Sequence, residues 1–264
     1  VVEAIVEDLE IKKRVFTELE PRLSPEAIIV SNTSSLSIDD MAMALARPQR
    51  FLGMHFFNPV HKMPLVEIIR GQHTSDSAVA AVFQLTKQLG KTPLVVKNGP
   101  GFLVNRLLVP YMVEAITLLE EGHAPQQVDQ LMVDFGMPVG PLELFDEVGI
   151  DVAYKVAKIL NRFMSDRMAD SQVLDKLVHD QRLGKKSGRG FYRYHDKKKY
   201  TDPAIQQYIT PRQKTTLNDQ EMIGRMVYPI INEAARCLQD KVVGRPQDVD
   251  LGMVFGTGFA PFRG

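Results

Sequence analysis

In the stretch FLGMHFFNPVHKMPLVEIIR, residues 51–70, two side chains stand where acid–base chemistry can be built: His55 and Glu67. Each lies in a short run of β-type residues, with a turn-like Asn58-Pro59 between them. Two strands joined by a loop of that length fold back antiparallel. The pairing centred on His61 sets positions 55 and 67 opposite one another. A carboxylate bonded to one ring nitrogen of an imidazole fixes its tautomer and leaves the other nitrogen to take a proton. The ordinary alternative is a partly buried, hydrogen-bonded strand histidine with an unrelated acid nearby. Spacing alone leaves both open.

The elements around this pair alternate through the first hundred residues. VVEAIVE reads as a buried strand, LEIKKRVFTELEPRL as an amphipathic helix and AIIVSN as a second strand. SIDDMAMALA follows as a helix capped by Ser37 or Asp39. RFLGMHFF and LVEIIRG are strands, SDSAVAAVFQLTKQLG a helix ended by Gly90, and TPLVVKN a last strand. This alternation predicts an α/β layer on a mostly parallel sheet, with an antiparallel stretch at His55 and Glu67. Gly99-Pro100-Gly101 breaks the pattern, and helices follow: FLVNRLLVPYMVEAITLLEEG, QQVDQLMVDFG, LELFDEVGIDVAYKVAKIL and SQVLDKLVHDQRLG. Residues 184–216, rich in Gly, Lys and Thr, read as a linker before helices resume at LNDQEMIGRMVYPIINEAARCLQD.

The helical part contains a repeat. NRLLVPYMVEAITLL (105–119) aligns with GRMVYPIINEAARCL (224–238), pairing Arg106 with Arg225, Pro110 with Pro229 and Glu114 with Glu233. Two such units should pack on each other, since one alone hardly buries its apolar face. Asn105 has Gly224 at the equivalent place, so only the first copy could use that side chain in chemistry. The predicted organisation is a partial dinucleotide-type domain over 1–98, a helical domain over 99–194 and a linker over 195–216. A second, incomplete helical copy follows over 217–264.

The whole chain narrows the function classes. Its 264 residues balance 32 basic against 32 acidic side chains, which favours neither nucleic acid nor an anionic membrane as partner. The basic run Lys197-Lys198-Lys199 sits among polar residues and reads as a solvated loop. Cys237 is the only cysteine, which excludes an intramolecular disulfide framework and fits a reducing, cytoplasmic setting. No apolar run reaches membrane-spanning length. His61, His73, His123, His179 and His195 lack metal-ligand spacing, and no metal site is expected. A dinucleotide-binding domain usually opens on strand, G-x-G-x-x-G and helix, and no such motif occurs here. Gly184, Gly188 and Gly190 have the wrong spacing and read as a flexible or helix-ending linker. The missing fingerprint and the start at Val1, inside an apolar run, suggest a Rossmann-type domain without its front half.

SNTSSLSI, HFFNPV, PLVEIIRG and GPGFLVNRLLVPY, in this order, resemble the 3-hydroxyacyl-CoA dehydrogenase family. The likeness runs over essentially the whole chain and is strongest to the dehydrogenase region of multifunctional fatty-acid oxidation α-subunits. The resemblance implies the C-terminal half of a Rossmann-type domain followed by a duplicated helical domain. It implies His55 as catalytic base, Glu67 as its paired acid, and Ser34 and Asn105 as catalytic and substrate-contacting residues. It further implies Glu7, Lys12, Ser34 and Asn58 on the cofactor side, with NAD as cofactor and an acyl-CoA as substrate. A thiolase subunit and self-association through the helical domain are the partners it implies. The family pattern runs on past Phe262-Arg263-Gly264, so the C-terminus reads as clipped.

Without the resemblance each assignment has a plain competitor. Ser34 is then a turn or helix cap, Asn105 a helix-surface amide, and Glu7 with Lys12 a solvated helix pair. Two functional classes are therefore carried forward. One is NAD-dependent oxidation of (3S)-3-hydroxyacyl-CoA, in which this portion is inactive by itself. The other is a non-catalytic helical assembly or acyl-binding module of a fatty-acid oxidation complex. A G-x-G-x-x-G strand upstream of Val1 in a longer protein would favour the first. A different β-hydroxyacid dehydrogenase would rely on a catalytic lysine, and the His55–Glu67 pair argues against it.

Overall fold

The computed structural model describes residues 1–196 and 198–263. Lys197 of the basic run and Gly264 of the C-terminal triplet lie outside the described residues. The chain divides into two units, residues 1–105 with 235–257, and 106–234 with the residues after Thr257.

The first unit is built on a five-stranded sheet. Its strands are β1 (Val2–Glu3), β2 (Ile29–Ser31), β3 (Phe51–Phe56), β4 (Leu65–Arg70) and β5 (Thr92–Lys97), in that spatial order. All neighbours run parallel except β3 and β4, which are antiparallel. The sheet is thus the predicted α/β layer with its one reversed pairing. Helix α1 (Leu9–Leu19) starts on an Asp8 cap, α2 (Ile38–Ala42) on Ser37 and α3 (Asp76–Gln88) on Ser75. Each cap oxygen accepts a backbone N–H of the first turn. Leu52, Met54, Val66 and Ile68 of the central strands pack with Val30, Ala78 and Val82.

The start of the chain departs from the buried strand predicted for it. Only Val2 and Glu3 form strand, and Val1, Val2, Ile5 and Val6 are exposed. The buried residue is Glu3, which bonds Lys12 and Ser31. β1 lies at the sheet edge with one neighbour, so its valines have little to pack against.

The second-copy region is also divided differently from the sequence-based scheme. Helix α10 (Pro246–Thr257) lays Gly252 and Gly256 on Leu65, Leu94, Leu103 and Val104. Lys97 donates its backbone N–H to Val242 O at 2.8 Å. Residues 235–257 therefore belong with the sheet, and 217–264 is not a separate body.

In the second unit lie α4 (Val104–Glu120) from Arg106 onward, α5 (Pro125–Phe135), α6 (Pro141–Val148), α7 (Ile150–Met164), α8 (Val173–His179) and α9 (Asp219–Gln239) up to Ala234. LELFDEVGIDVAYKVAKIL, read as one helix, is two: the chain breaks at Gly149. Buried Cys237 lies on α9, as its neighbours suggested.

The aligned repeat residues meet reciprocally across α4 and α9. Arg106 Nε donates to Glu233 Oε1 at 2.7 Å, and Arg225 Nε donates to Glu114 Oε1 at 2.7 Å. Each copy thus supplies the arginine for the other copy's glutamate, as two units related by an approximate two-fold would.

Described residues in and around the segment read as a linker over 195–216, including the glycines before it, carry defined structure. β6 (Arg193–His195) and β7 (Lys198–Tyr200) form a hairpin, and a 3-10 turn covers Pro203–Gln207. Phe191, Tyr192, Ile205 and Tyr208 are buried. Asp146 anchors this segment, accepting from Phe191 N and Tyr192 N at 2.9 Å and from the Tyr194 hydroxyl at 3.1 Å. A Cβ at Gly190 would overlap the Asp146 carboxylate. Glycines that look like linker composition are here the means by which backbone closes on a buried acid.

Burial pushes the Asp146 carboxyl up to about 7, against the opposing pull of the Tyr192 and Phe191 N–H groups. A carboxyl whose folded pKa lies above its unfolded value stabilises the fold at low pH. That contribution is lost as pH rises from about 4 towards 7. Thermal unfolding of wild type and D146N across this range should show the wild-type advantage shrinking as pH rises; a constant difference would contradict it. For the ion pairs, R106M should lower stability by about 1–3 kcal/mol, because it removes the 2.7 Å partner of the buried Glu233 and leaves Arg167 at 3.7 Å. R225M should cost less, since Glu114 is more exposed. Denaturant midpoints of the two variants give the comparison.

Candidate active site

β3 and β4 bring the two leading residues together. His55 and Glu67 are register partners in the antiparallel pair, so both side chains leave the same face of the sheet. His55 Nδ1 lies 2.8 Å from Glu67 Oε2, and both residues are buried. Glu67 Oε1 accepts the backbone N–H groups of Leu103 and Val104, each at 3.0 Å. These are the N–H groups just before and at the start of α4, where the helix has no carbonyl to offer them. The carboxylate is therefore engaged at both oxygens, and its acceptor role puts a proton on His55 Nδ1. Nε2 has no hydrogen-bond partner among the described residues. The Phe57 and Phe102 rings lie 4.5 and 5.9 Å from the imidazole, centroid to centroid.

Ser34 follows β2 and is half-buried. Its backbone N–H donates to Glu7 Oε1 at 3.0 Å, and its carbonyl accepts Asn105 Nδ2 at 2.9 Å. The Ser34 hydroxyl has no partner among the described residues, unlike the Ser37 cap nearby. Ser34 is thus not the cap of α2. Asn105, in the first turn of α4, is not a free surface amide either: one N–H goes to Ser34 and a second remains available. Asn32 Oδ1 accepts the N–H of Phe56 at 3.0 Å, tying the loop after β2 to the end of β3.

The remaining predicted residues fall differently. Asn58 is exposed in the β3–β4 loop, beside a cis peptide to Pro59, with its amide unpartnered among the described residues. Glu7 bonds the loop that carries Ser34. Lys12 is the correction. It is fully buried, its ammonium 2.7 Å from Glu3 and 3.5 Å from Glu7, and it presents no surface to a cofactor. Nor is it a solvated helix pair. An ammonium removed from water needs close carboxylates, and both acids supply them. Sequence reasoning missed Glu3 as that partner, although an acid inside the apolar run VVEAIVE signalled a buried pairing. The Leu103 and Val104 N–H groups left no signal, because backbone donors are common to every residue.

The chain is similar to known proteins over its whole length. Residues 1–99 fit the family model for the NAD-binding domain of 3-hydroxyacyl-CoA dehydrogenase, and residues 101–194 the model for its C-terminal domain. The chain belongs to the 3-hydroxyacyl-CoA dehydrogenase family. Among individual proteins, it is 43% identical over 264 residues to the fatty acid oxidation complex subunit alpha of Vibrio campbellii, covering all of this chain and 38% of that protein. It therefore spans well under half the length of such curated relatives. The crystal structure of 3-hydroxybutyryl-CoA dehydrogenase from Escherichia coli K12 is 31% identical, with a TM-score of 0.84. That match covers 100% of this chain and 73% of the other. The dehydrogenase part of multifunctional enzyme 1 from C. elegans is 34% identical, with a TM-score of 0.66, covering 97% and 60% respectively.

Replacing Glu67 tests the double engagement of its carboxylate. E67A leaves two backbone N–H groups and a ring N–H without acceptors and should destabilise the chain by about 2–4 kcal/mol. E67Q keeps one acceptor oxygen and should cost less. Equal losses in chemical denaturation would mean that the Leu103 and Val104 bonds contribute nothing.

Proposed function

We propose that the protein carrying this chain oxidises (3S)-3-hydroxyacyl-CoA to 3-oxoacyl-CoA in fatty-acid β-oxidation, with NAD as hydride acceptor. The observation that carries the reading is the buried His55–Glu67 pair with Nε2 left open. Two further side chains suit the nicotinamide end of a cofactor: the Ser34 hydroxyl and the Asn58 amide, both unpartnered among the described residues. The sequence offers no G-x-G-x-x-G cradle for the pyrophosphate, so the residues present fit one end of the cofactor only.

In this reading His55 Nε2 takes the proton of the substrate hydroxyl, which demands a neutral imidazole at the start. Glu67, accepting from Nδ1–H, fixes the tautomer that turns the Nε2 lone pair to the substrate. As the proton arrives, the imidazolium forms beside a carboxylate already in place, so the developing charge meets a partner that need not reorganise. The Ser34 hydroxyl donates to the reacting oxygen. Asn105 directs its second N–H to that oxygen or to the thioester carbonyl, while its first holds Ser34. NAD, when bound, accepts the hydride from the carbinol carbon.

The wider assignments rest on weaker supports. A complex with a thiolase subunit is consistent with a relative named as subunit alpha of a fatty acid oxidation complex. Self-association through the helical unit is consistent with Tyr228 and Ile231, 64% and 56% exposed on one side of α9. A cytoplasmic setting is consistent with the lone, buried Cys237. Among the described residues no helix is long and apolar enough to cross a membrane.

Oxidation of NADH by acetoacetyl-CoA, followed by absorbance, tests the proposal. The measurement is made on this chain and on a longer protein that adds an upstream G-x-G-x-x-G strand. Turnover is expected only in the longer protein. There, H55A and E67Q should each reduce kcat by about 10²-fold or more with the circular dichroism unchanged. Near-normal turnover in H55A would sink the mechanism. Inactivity of both wild-type proteins would favour a non-catalytic assembly or acyl-binding module.

A further inference from the structure

We infer that Glu7 is a positioning residue, which holds the Ser34 backbone so that the Ser34 hydroxyl faces the reacting oxygen. This rests on the role of Ser34 proposed above. It differs from the cofactor contact that the family resemblance implies for Glu7.

One oxygen of Glu7 gathers three consecutive residues. Oε1 accepts from Thr33 Oγ1 at 2.6 Å, from Ser34 N at 3.0 Å and from Ser35 Oγ at 3.4 Å. Thr33 Oγ1 in turn accepts from Ser35 N and Leu36 N, at 3.3 and 2.9 Å, closing a local turn. On the other side of Ser34, the carbonyl takes Asn105 Nδ2 at 2.9 Å. The N–H and the C=O of Ser34 are thus both tied, and its backbone cannot rotate without breaking one bond. The polar atom left over is the hydroxyl.

Glu7 is itself held from behind. Its Oε2 lies 3.5 Å from Lys12 Nζ, and Lys12 is 2.7 Å from Glu3 Oε1. Glu3 Oε2 accepts Ser31 Oγ at 2.5 Å, so the line Ser31–Glu3–Lys12–Glu7 joins β2 to the loop that follows it. The buried ammonium attracts the Glu7 carboxylate inward although a third of that side chain is exposed. Oε1 is taken by three donors, which is the contact that fixes the Ser34 loop, and Oε2 lies on the Lys12 side.

The test uses the full-length protein that carries this chain, with variants E7A, E7Q, S34A and E7A/S34A checked for folding by circular dichroism. E7A should lower kcat about tenfold or more, with KM for NAD changed by less than about twofold. E7Q, which keeps an acceptor oxygen, should recover most of kcat. In the S34A background, E7A should cost less than about twofold further, because both changes remove the same aimed hydroxyl. A raised KM for NAD at unchanged kcat in E7A overturns the inference in favour of a cofactor contact, and so do fully multiplicative effects. Normal turnover in E7A beside a crippled S34A overturns the inference alone. Wild-type turnover in S34A overturns the Ser34 reading and this inference with it.

Discussion

A carboxylate taken out of water is costly unless each oxygen finds donors, and Glu67 is fully buried in the middle of β4. Its donors come from two places: the imidazole across the strand pair, and the first backbone N–H groups of α4. That requirement constrains much of the first unit. A one-residue slip between β3 and β4 would turn Glu67 to the other face and leave the acid unpaired. The start of α4 must lie where Leu103 and Val104 can point their N–H groups at the strand. Asn105, one residue further on, is thereby set to reach Ser34. The reversed strand, the helix start, the histidine tautomer and the Asn105–Ser34 bond all follow from satisfying one buried acid.

The same physical device recurs away from the site. Glu20 accepts Ala46 N and Arg47 N, at 2.7 and 2.9 Å. Asp129 accepts Leu142 N and Glu143 N at the start of α6, together with the Tyr192 hydroxyl. Asp146 closes the 190–194 segment in the same way. In each case a side-chain carboxylate stands in for the carbonyls that a loop or helix start lacks. Burial pushes Asp129 up to about 6, as it does Asp146 further, which marks the desolvation these bonds must offset. Loops anchored by such acids keep defined shapes despite glycine-rich composition.

Duplication of the helical unit shows how a repeat keeps its packing while its chemistry diverges. The arginine and glutamate of each copy are retained because each pairs with the other copy. Loss of one would remove a charge partner from the other copy. Position 105 carries no such obligation. The first copy has Asn105 against the Ser34 loop, whereas the second has Gly224, packed near the Tyr228 ring. Charge pairing joins the aligned positions, whereas the asparagine that reaches Ser34 occurs in one copy only.

Much was legible in the sequence. Periodicity and capping residues located β2 to β5 and α1 to α3, because they report local backbone preferences. The loop length between β-type runs set His55 against Glu67, because antiparallel register follows from turn position. The ordered motifs indicated the family. Other features needed the folded chain. Lys12 looked like a helix-surface lysine until β1 placed Glu3 beside it. The 195–216 stretch looked like a linker until Asp146, distant in sequence, supplied acceptors for the segment before it. Residues 235–257 looked like part of a second copy until α10 met β4 and β5. Local propensity and spacing act through neighbouring residues and so can be read along the chain. Burial of a charge and satisfaction of a backbone N–H depend on groups tens of residues away, and only the tertiary structure brings those within bonding distance.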